Sequence, residues 1–100
     1  MQFLILAYDA TDADALNRRM ANREAHLTVI DSYKQSGNMH MGAAILDDNE
    51  KMIGSCIIGD FFSRAELDEW LEHEPYIVGK VWDRVEIRPC KVSPVFLKKS

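Results

Sequence analysis

Apolar and polar positions divide the chain into alternating strand-like and helix-like segments. Phe3 to Tyr8 is an apolar run of strand length, followed by the polar stretch Asp9 to Asp14. Leu16, Met20, Leu27 and Ile30 then recur at the helical spacing of about 100° per residue. They predict a long helix from Ala15 to Ser36 with that stripe on its buried face. Asp12 or Asp14 is the expected cap, since an aspartate side chain accepts from the free amides of a first turn. Gly37 supplies a left-handed stop. Met39 to Leu46 reads as a second strand, Asp47 to Glu50 as a hairpin turn, and Met52 to Asp60 as the returning third strand. Ser63 and Glu66 form a capping box that opens a second helix from Arg64 to His73, and Pro75 ends it. Val81 to Val92 gives a fourth strand with Val85, Ile87 and Pro89 on one face. Ser93 to Ser100, with a proline and two lysines, reads as a short extension or docking arm.

The order β-α-β-β-α-β predicts an α+β, ferredoxin-like fold: an antiparallel four-stranded sheet with two helices on one face. A sheet with one wet face should alternate apolar and polar residues. Phe3-Leu4-Ile5-Leu6-Ala7 and Cys56-Ile57-Ile58 do not alternate. Met39, Met41, Ala43 and Ile45 are expected on one face of the second strand, with His40, Gly42, Ala44 and Leu46 opposite. Two helices cover only one face, so the expected partner for the other is a second copy of the sheet, in a homodimer.

Composition narrows the function classes. One domain over residues 1–100 fits the usual size of roughly 100–200 residues. With 12 basic and 16 acidic residues the chain carries a net charge of −4. No electrostatic footprint for nucleic acid is present. No apolar run approaches the ~20 residues of a membrane span. The N-terminus lacks a basic region before its short apolar run, so no secretory signal is read and the cytoplasm is the expected compartment. Cys56 and Cys90 show no metal-type spacing and are expected as small buried hydrophobes.

Against this acidic background, Arg19, Arg23 and His26 fall on one flank of the first helix, with Tyr33 just beyond. That ladder suits a carboxylate or phenolate ligand, with His26 as general acid or base. A solvated flank paired with neighbours such as Glu24 is the competing reading. His73-Glu74-Pro75-Tyr76 places a carboxylate on a helix-terminating turn, aimed at a cleft or simply exposed. Gly54-Ser55 within a strand indicates close backbone approach or a bulge. Ser55 has no activating base nearby in sequence, which argues against a nucleophilic serine. His40 between two methionines has no second ligand cluster, so no metal site is expected.

Arg19-x-x-x-Arg23-x-x-His26-Leu27, with Gly37, Gly42, Gly54-Ser55 and the run from Pro75-Tyr76 through Val81, Val85 and Pro89, resembles the YciI-like (YCII-related) family across nearly the whole chain. The resemblance implies a ferredoxin-like dimeric α/β barrel with one pocket per subunit. It implies that His26 faces an acid from an Asp-Pro turn, here Glu74. It also implies proton transfer without metal or organic cofactor, as in dehydrochlorination of a chlorinated hydroxyquinol. Arg19, Arg23 and Ser55 are the expected substrate-binding residues. A non-catalytic small-molecule-binding or regulatory module on the same dimer is the second reading, and an oxygen-dependent quinol monooxygenase the third.

Overall fold

The computed structural model describes residues 1–97. Four strands, β1 (Gln2–Asp9), β2 (Met39–Leu46), β3 (Met52–Asp60) and β4 (Trp82–Cys90), form one antiparallel sheet in the order β2-β3-β1-β4. Helices α1 (Ala15–Gln35) and α2 (Arg64–His73) connect them, and a one-turn helix α3 (Pro75–Val78) follows α2. This is the α+β, ferredoxin-like arrangement expected from the apolar pattern. α3 was not expected: Pro75 ends α2 but then occupies the first turn of a new helix, where its missing N–H costs nothing. Pro94–Phe96 makes a 3-10 turn, while both lysines of the expected docking arm, Lys98 and Lys99, lie outside the described residues.

Strand alternation directs Phe3, Ile5 and Ala7 of β1 and Ile57 of β3 to the helix face, where all are buried. Leu67, Trp70, Phe61, Tyr76, Val81 and Trp82 complete this core. Full burial of a side chain such as Leu67 is worth about 1.5–3 kcal/mol. Val85, Ile87 and Pro89 pair with Ala7, Ile5 and Phe3 and so share that face, as expected. Gly54 lets β3 approach β1: a Cβ there would lie 2.5 Å from the Ala7 carbonyl oxygen.

Three register shifts interrupt the ladders; one lies at the end of β2, between Ile45 and Leu46, and the other two reset which side chains face the helices. One, between Met39 and Met41, sends Met39 to the helix face opposite Gly59 and puts Met41, Ala43 and Ile45 on the other. The expected grouping of Met39 with these three is therefore corrected. His40, at the bulge, pairs through Nε2 with the Asp60 carboxylate. The second shift, between Tyr8 and Asp9, leaves Asp83 without a partner in β1 and pairs Trp82 with Asp9.

The open sheet face carries Leu4, Leu6, Cys56, Ile58 and Ile45, all half-buried, beside the exposed Met41. Arg84, Glu86 and Arg88 of β4 pair with Tyr8, Leu6 and Leu4 and make its charged margin. Both cysteines are half-buried rather than buried.

The first helix departs most from expectation. Its buried residues are Ala15, Arg19 and His26, while Leu16, Met20 and Leu27 are exposed. Partners on the sheet and on the α2–α3 turn take up Arg19 Nη1 and Nη2 and His26 Nδ1, leaving only Arg19 Nε of these groups buried without a partner, so the helix turns its chemistry inward and leaves its apolar stripe outside. The Asp14 cap makes no side-chain bond to the helix amides. Asp12 instead accepts two bonds of 2.7 Å from Arg18. Gly37 ends the segment at φ 86°, as expected.

Candidate active site

His26 and Glu74 are 48 residues apart and meet at the centre of the fold. Glu74 lies where α2 stops and α3 starts: its backbone is extended, and it caps both helices. One carboxylate oxygen, Oε2, accepts from the Tyr76 amide at 2.6 Å. The other, Oε1, is hydrogen-bonded to His26 Nδ1. The side chain of Glu74 is wholly buried and that of His26 nearly so. Rings lock the imidazole in place. Tyr76 stacks on it with centroids 3.9 Å apart and planes 9° apart, and Trp82 meets it edge-on at 5.7 Å.

Arg19, two turns before His26, is 3% exposed. Its Nη1 donates to both Asp9 oxygens at 2.8 and 2.9 Å, and its Nη2 donates to Ser55 Oγ at 3.0 Å. Its guanidinium lies over the Tyr76 ring, 4.9 Å from the centroid. Burial pushes the Asp9 carboxyl upward, while its bonds and charge contact with Arg19 pull the other way. Burial likewise raises the Tyr76 phenol, opposed by Arg19 and Arg23, so Tyr76 stays protonated at neutral pH. Ser55 is buried on β3 and also accepts from Trp82 Nε1 at 3.1 Å.

A cavity of about 200 Å³ opens between α1 and the β2–β3 half of the sheet, lined by Arg19, Arg23, His26, Ser55 and Tyr76. Its apolar lining includes Leu27, Ile30, Met52 and Ile57. Gly42 and Ala44, paired with Ile57 and Ser55, keep it open because neither fills the space above β3. Hollows of about 420 and 460 Å³ lie elsewhere, one beside Trp70 and one beside Tyr8 and Leu16. The smaller cavity alone gathers both arginines, the imidazole and the buried serine, so the candidate chemistry is placed there.

All five residues expected at the site, His26, Glu74, Arg19, Arg23 and Ser55, fall at or directly behind this cavity. Arg19 turns its charge to Asp9, and Arg23 is the exposed cation at the rim. Neither pairs with Glu24 among the described residues. Asp9, Tyr76 and Trp82 were not expected as working parts. Asp9 closes the first apolar run and Tyr76 follows Glu74 by two residues, but neither position signals a buried partner by itself. His73 stays exposed at the end of α2, apart from the His26–Glu74 pair.

The chain is similar to known proteins in sequence and in fold. The chain is 28% identical over 97 residues to the protein YciI of Escherichia coli O6:H1, covering 91% of this chain and 97% of that one. The same figures hold for protein YciI of Shigella flexneri. A solved structure of 5-chloro-2-hydroxyhydroquinone dehydrochlorinase from Burkholderia phenoliruptrix AC1100, in complex with 2,5-dihydroxybenzoquinone, superposes with a TM-score of 0.80. That match has 24% identity and covers 95% of this chain and 98% of the other, so the fold is common to both. The YCII-related domain model matches residues 1–91, and the chain belongs to that family.

Proposed function

We propose that this protein is an acid–base enzyme independent of metal and organic cofactor, of lyase, dehydrochlorinase or isomerase type. Its substrate in this reading is a small anionic aromatic or enolic molecule. One observation carries it: a buried imidazole, bound at Nδ1 by a buried carboxylate, lines a cavity with an arginine at its rim. Nδ1–H donates to Glu74, which leaves the lone pair on Nε2. Nε2 removes the substrate proton, and Glu74 stabilises the imidazolium that forms. Arg23 neutralises the anion, while Arg19, tied to Asp9, keeps Ser55 and the Tyr76 ring in place. The dehydrochlorinase with the same fold supports a choice of hydroxyquinol-type compounds as first substrates.

Incubation with 5-chloro-2-hydroxyhydroquinone, followed by chloride release and by the spectrum of the quinone product, tests the proposal. Turnover in wild type that falls by about 10²–10⁴-fold in His26→Ala is the expected result, the range for loss of a general base. Unchanged turnover in His26→Ala sinks the assignment. Saturable binding with no chemical change would move the protein to the binding-module reading, with ligand stabilisation of about 2.7 kcal/mol at 100 times Kd. Oxygen uptake during the reaction would point to the monooxygenase reading.

The proposal includes a homodimer. Leu4, Leu6, Ile58 and Ile45 give the open sheet face an apolar surface that the chain's own helices do not reach. A second copy of that face covers it with matching chemistry.

A further inference from the structure

We propose that Ser55 is a fixed hydrogen-bond donor to a carbonyl or enolate oxygen of the substrate, so the substrate class is one that carries such an oxygen beside the proton His26 removes. This rests on the acid–base reading above and specifies what that site recognises.

A serine hydroxyl has one proton and two acceptor positions. Both acceptor positions of Ser55 Oγ are taken, by Arg19 Nη2 at 3.0 Å and by Trp82 Nε1 at 3.1 Å. Each donor is itself fixed: Arg19 by Asp9, and Trp82 by burial against the His26 and Tyr76 rings. The hydroxyl proton is left with the remaining tetrahedral direction, and Ser55 lines the cavity. Among the described residues, no acceptor takes that proton. A buried donor without a partner is costly, and a ligand oxygen relieves the cost. The two groups then divide the work: Ser55 donates, and the free Nε2 of His26 accepts. An enolisable ketone, with an acidic proton on the atom next to the carbonyl, satisfies both, while the anion of a hydroxyquinone offers Ser55 the oxygen alone.

The proton transfer balances with these two groups. His26 Nε2 takes the proton from the atom next to the carbonyl carbon. The electron pair of the broken bond forms a new double bond to that carbon, and the carbonyl π pair moves onto oxygen. The resulting negative oxygen sits against the Ser55 O–H and the Arg19-polarised hydroxyl dipole, and the imidazolium faces Glu74. Trp82, which does not line the cavity, acts as a positioning residue through Ser55, and Arg19, whose Nη1 and Nη2 are held by Asp9 and Ser55, fixes the same hydroxyl from the cavity wall.

Titration with 2,5-dihydroxybenzoquinone, followed by its visible absorption, tests the assignment on wild type, Ser55→Ala, Ser55→Thr and Trp82→Phe. Loss of a hydrogen bond to a charged oxygen predicts at least about ten-fold weaker binding in Ser55→Ala. The band of the bound quinone should shift in that variant at saturation, a signature that mere loosening of the fold does not give. Ser55→Thr, which keeps the hydroxyl, should restore both. If Ser55→Ala fails to fold, Trp82→Phe decides: it frees one acceptor position, lets the hydroxyl turn away, and should weaken binding by about three-fold. Wild-type affinity and spectrum in Ser55→Ala, or wild-type affinity in Trp82→Phe where Ser55→Ala does not fold, overturn the role of Ser55 and leave His26 untouched. A wild-type protein that does not take up the quinone overturns the ligand class. Ser55-dependent binding without turnover supports this assignment and counts against the acid–base reading alone.

Discussion

Glu74 satisfies two donors that burial would otherwise strand, the Tyr76 amide and the His26 imidazole. Glu74→Ala removes both acceptors at once. Each buried unsatisfied group costs about 1–3 kcal/mol, so a loss of about 3 kcal/mol is expected in urea denaturation. Glu74→Gln keeps an acceptor and should lose less stability, while activity on a turned-over substrate falls because the imidazolium has no counter-charge. A second effect is read from pH. The Arg18 guanidinium holds the Asp12 carboxyl at about 2, below its ordinary 3.8. A carboxyl lowered on folding contributes stability above its unfolded value and loses it as pH falls toward the folded one. The exposed pair should therefore steepen the acid limb of a melting-temperature profile between about pH 4 and pH 2, and Asp12→Asn should flatten it. An unchanged limb in that variant would show that the pair contributes nothing. At this scale the sequence pointed to His26 and Arg19 through their spacing on one helix. Glu74 was matched to His26 only through the family resemblance, because no local pattern links positions 48 apart.

The two long helices differ in how their elements were written. Ser63 accepts from the Glu66 amide and Glu66 reaches back to the Phe62 amide, so the capping box opens α2 where the sequence placed it. Ser63→Ala should cost about 1 kcal/mol, measured by thermal or urea unfolding. An effect below a few tenths would mean that packing of Leu67 and Trp70 alone sets this helix. α1 was legible in extent but not in orientation. Its extent follows from length, composition and Gly37. Its apolar stripe misled about the buried face because helix orientation follows total free energy, and here Asp9, Ser55 and Glu74 compensate the burial of Arg19 and His26. Strand existence was legible throughout from apolar runs. Face assignment failed at β2, where one extra residue at His40 inverts alternation beyond it.

Across the whole molecule, the apolar content of β1 and β3 exceeds what two helices cover, and the open face remains apolar in the folded chain. No described helix is long and apolar enough to cross a membrane. If a second copy covers that face, Leu6→Arg, at its centre between Cys56 and Glu86, should break the assembly. Sedimentation would then fall from twice 11.4 kDa to 11.4 kDa, with the helix content of the monomer retained. Wild type sedimenting as a monomer at micromolar concentration would remove the dimer from the proposal.

Trp82 reaches Ser55 only because Asp83 has no partner in β1. Arg84, Glu86 and Arg88 point to the open face, and a strand counting straight back from them would send position 82 there too. The unpaired Asp83 resets the count and turns the indole inward. The site therefore depends on residue 83 staying out of the ladder more than on the chemistry of its side chain. An exposed Asp83 tolerates replacement by another polar residue, and its deletion would leave Trp82 opposite Asp9 and Arg84 opposite Tyr8 in an unbroken ladder, with the indole still inward. A straight ladder that paired Asp83 with Asp9 is the change that would cost Ser55 its second donor, with every cavity side chain unaltered.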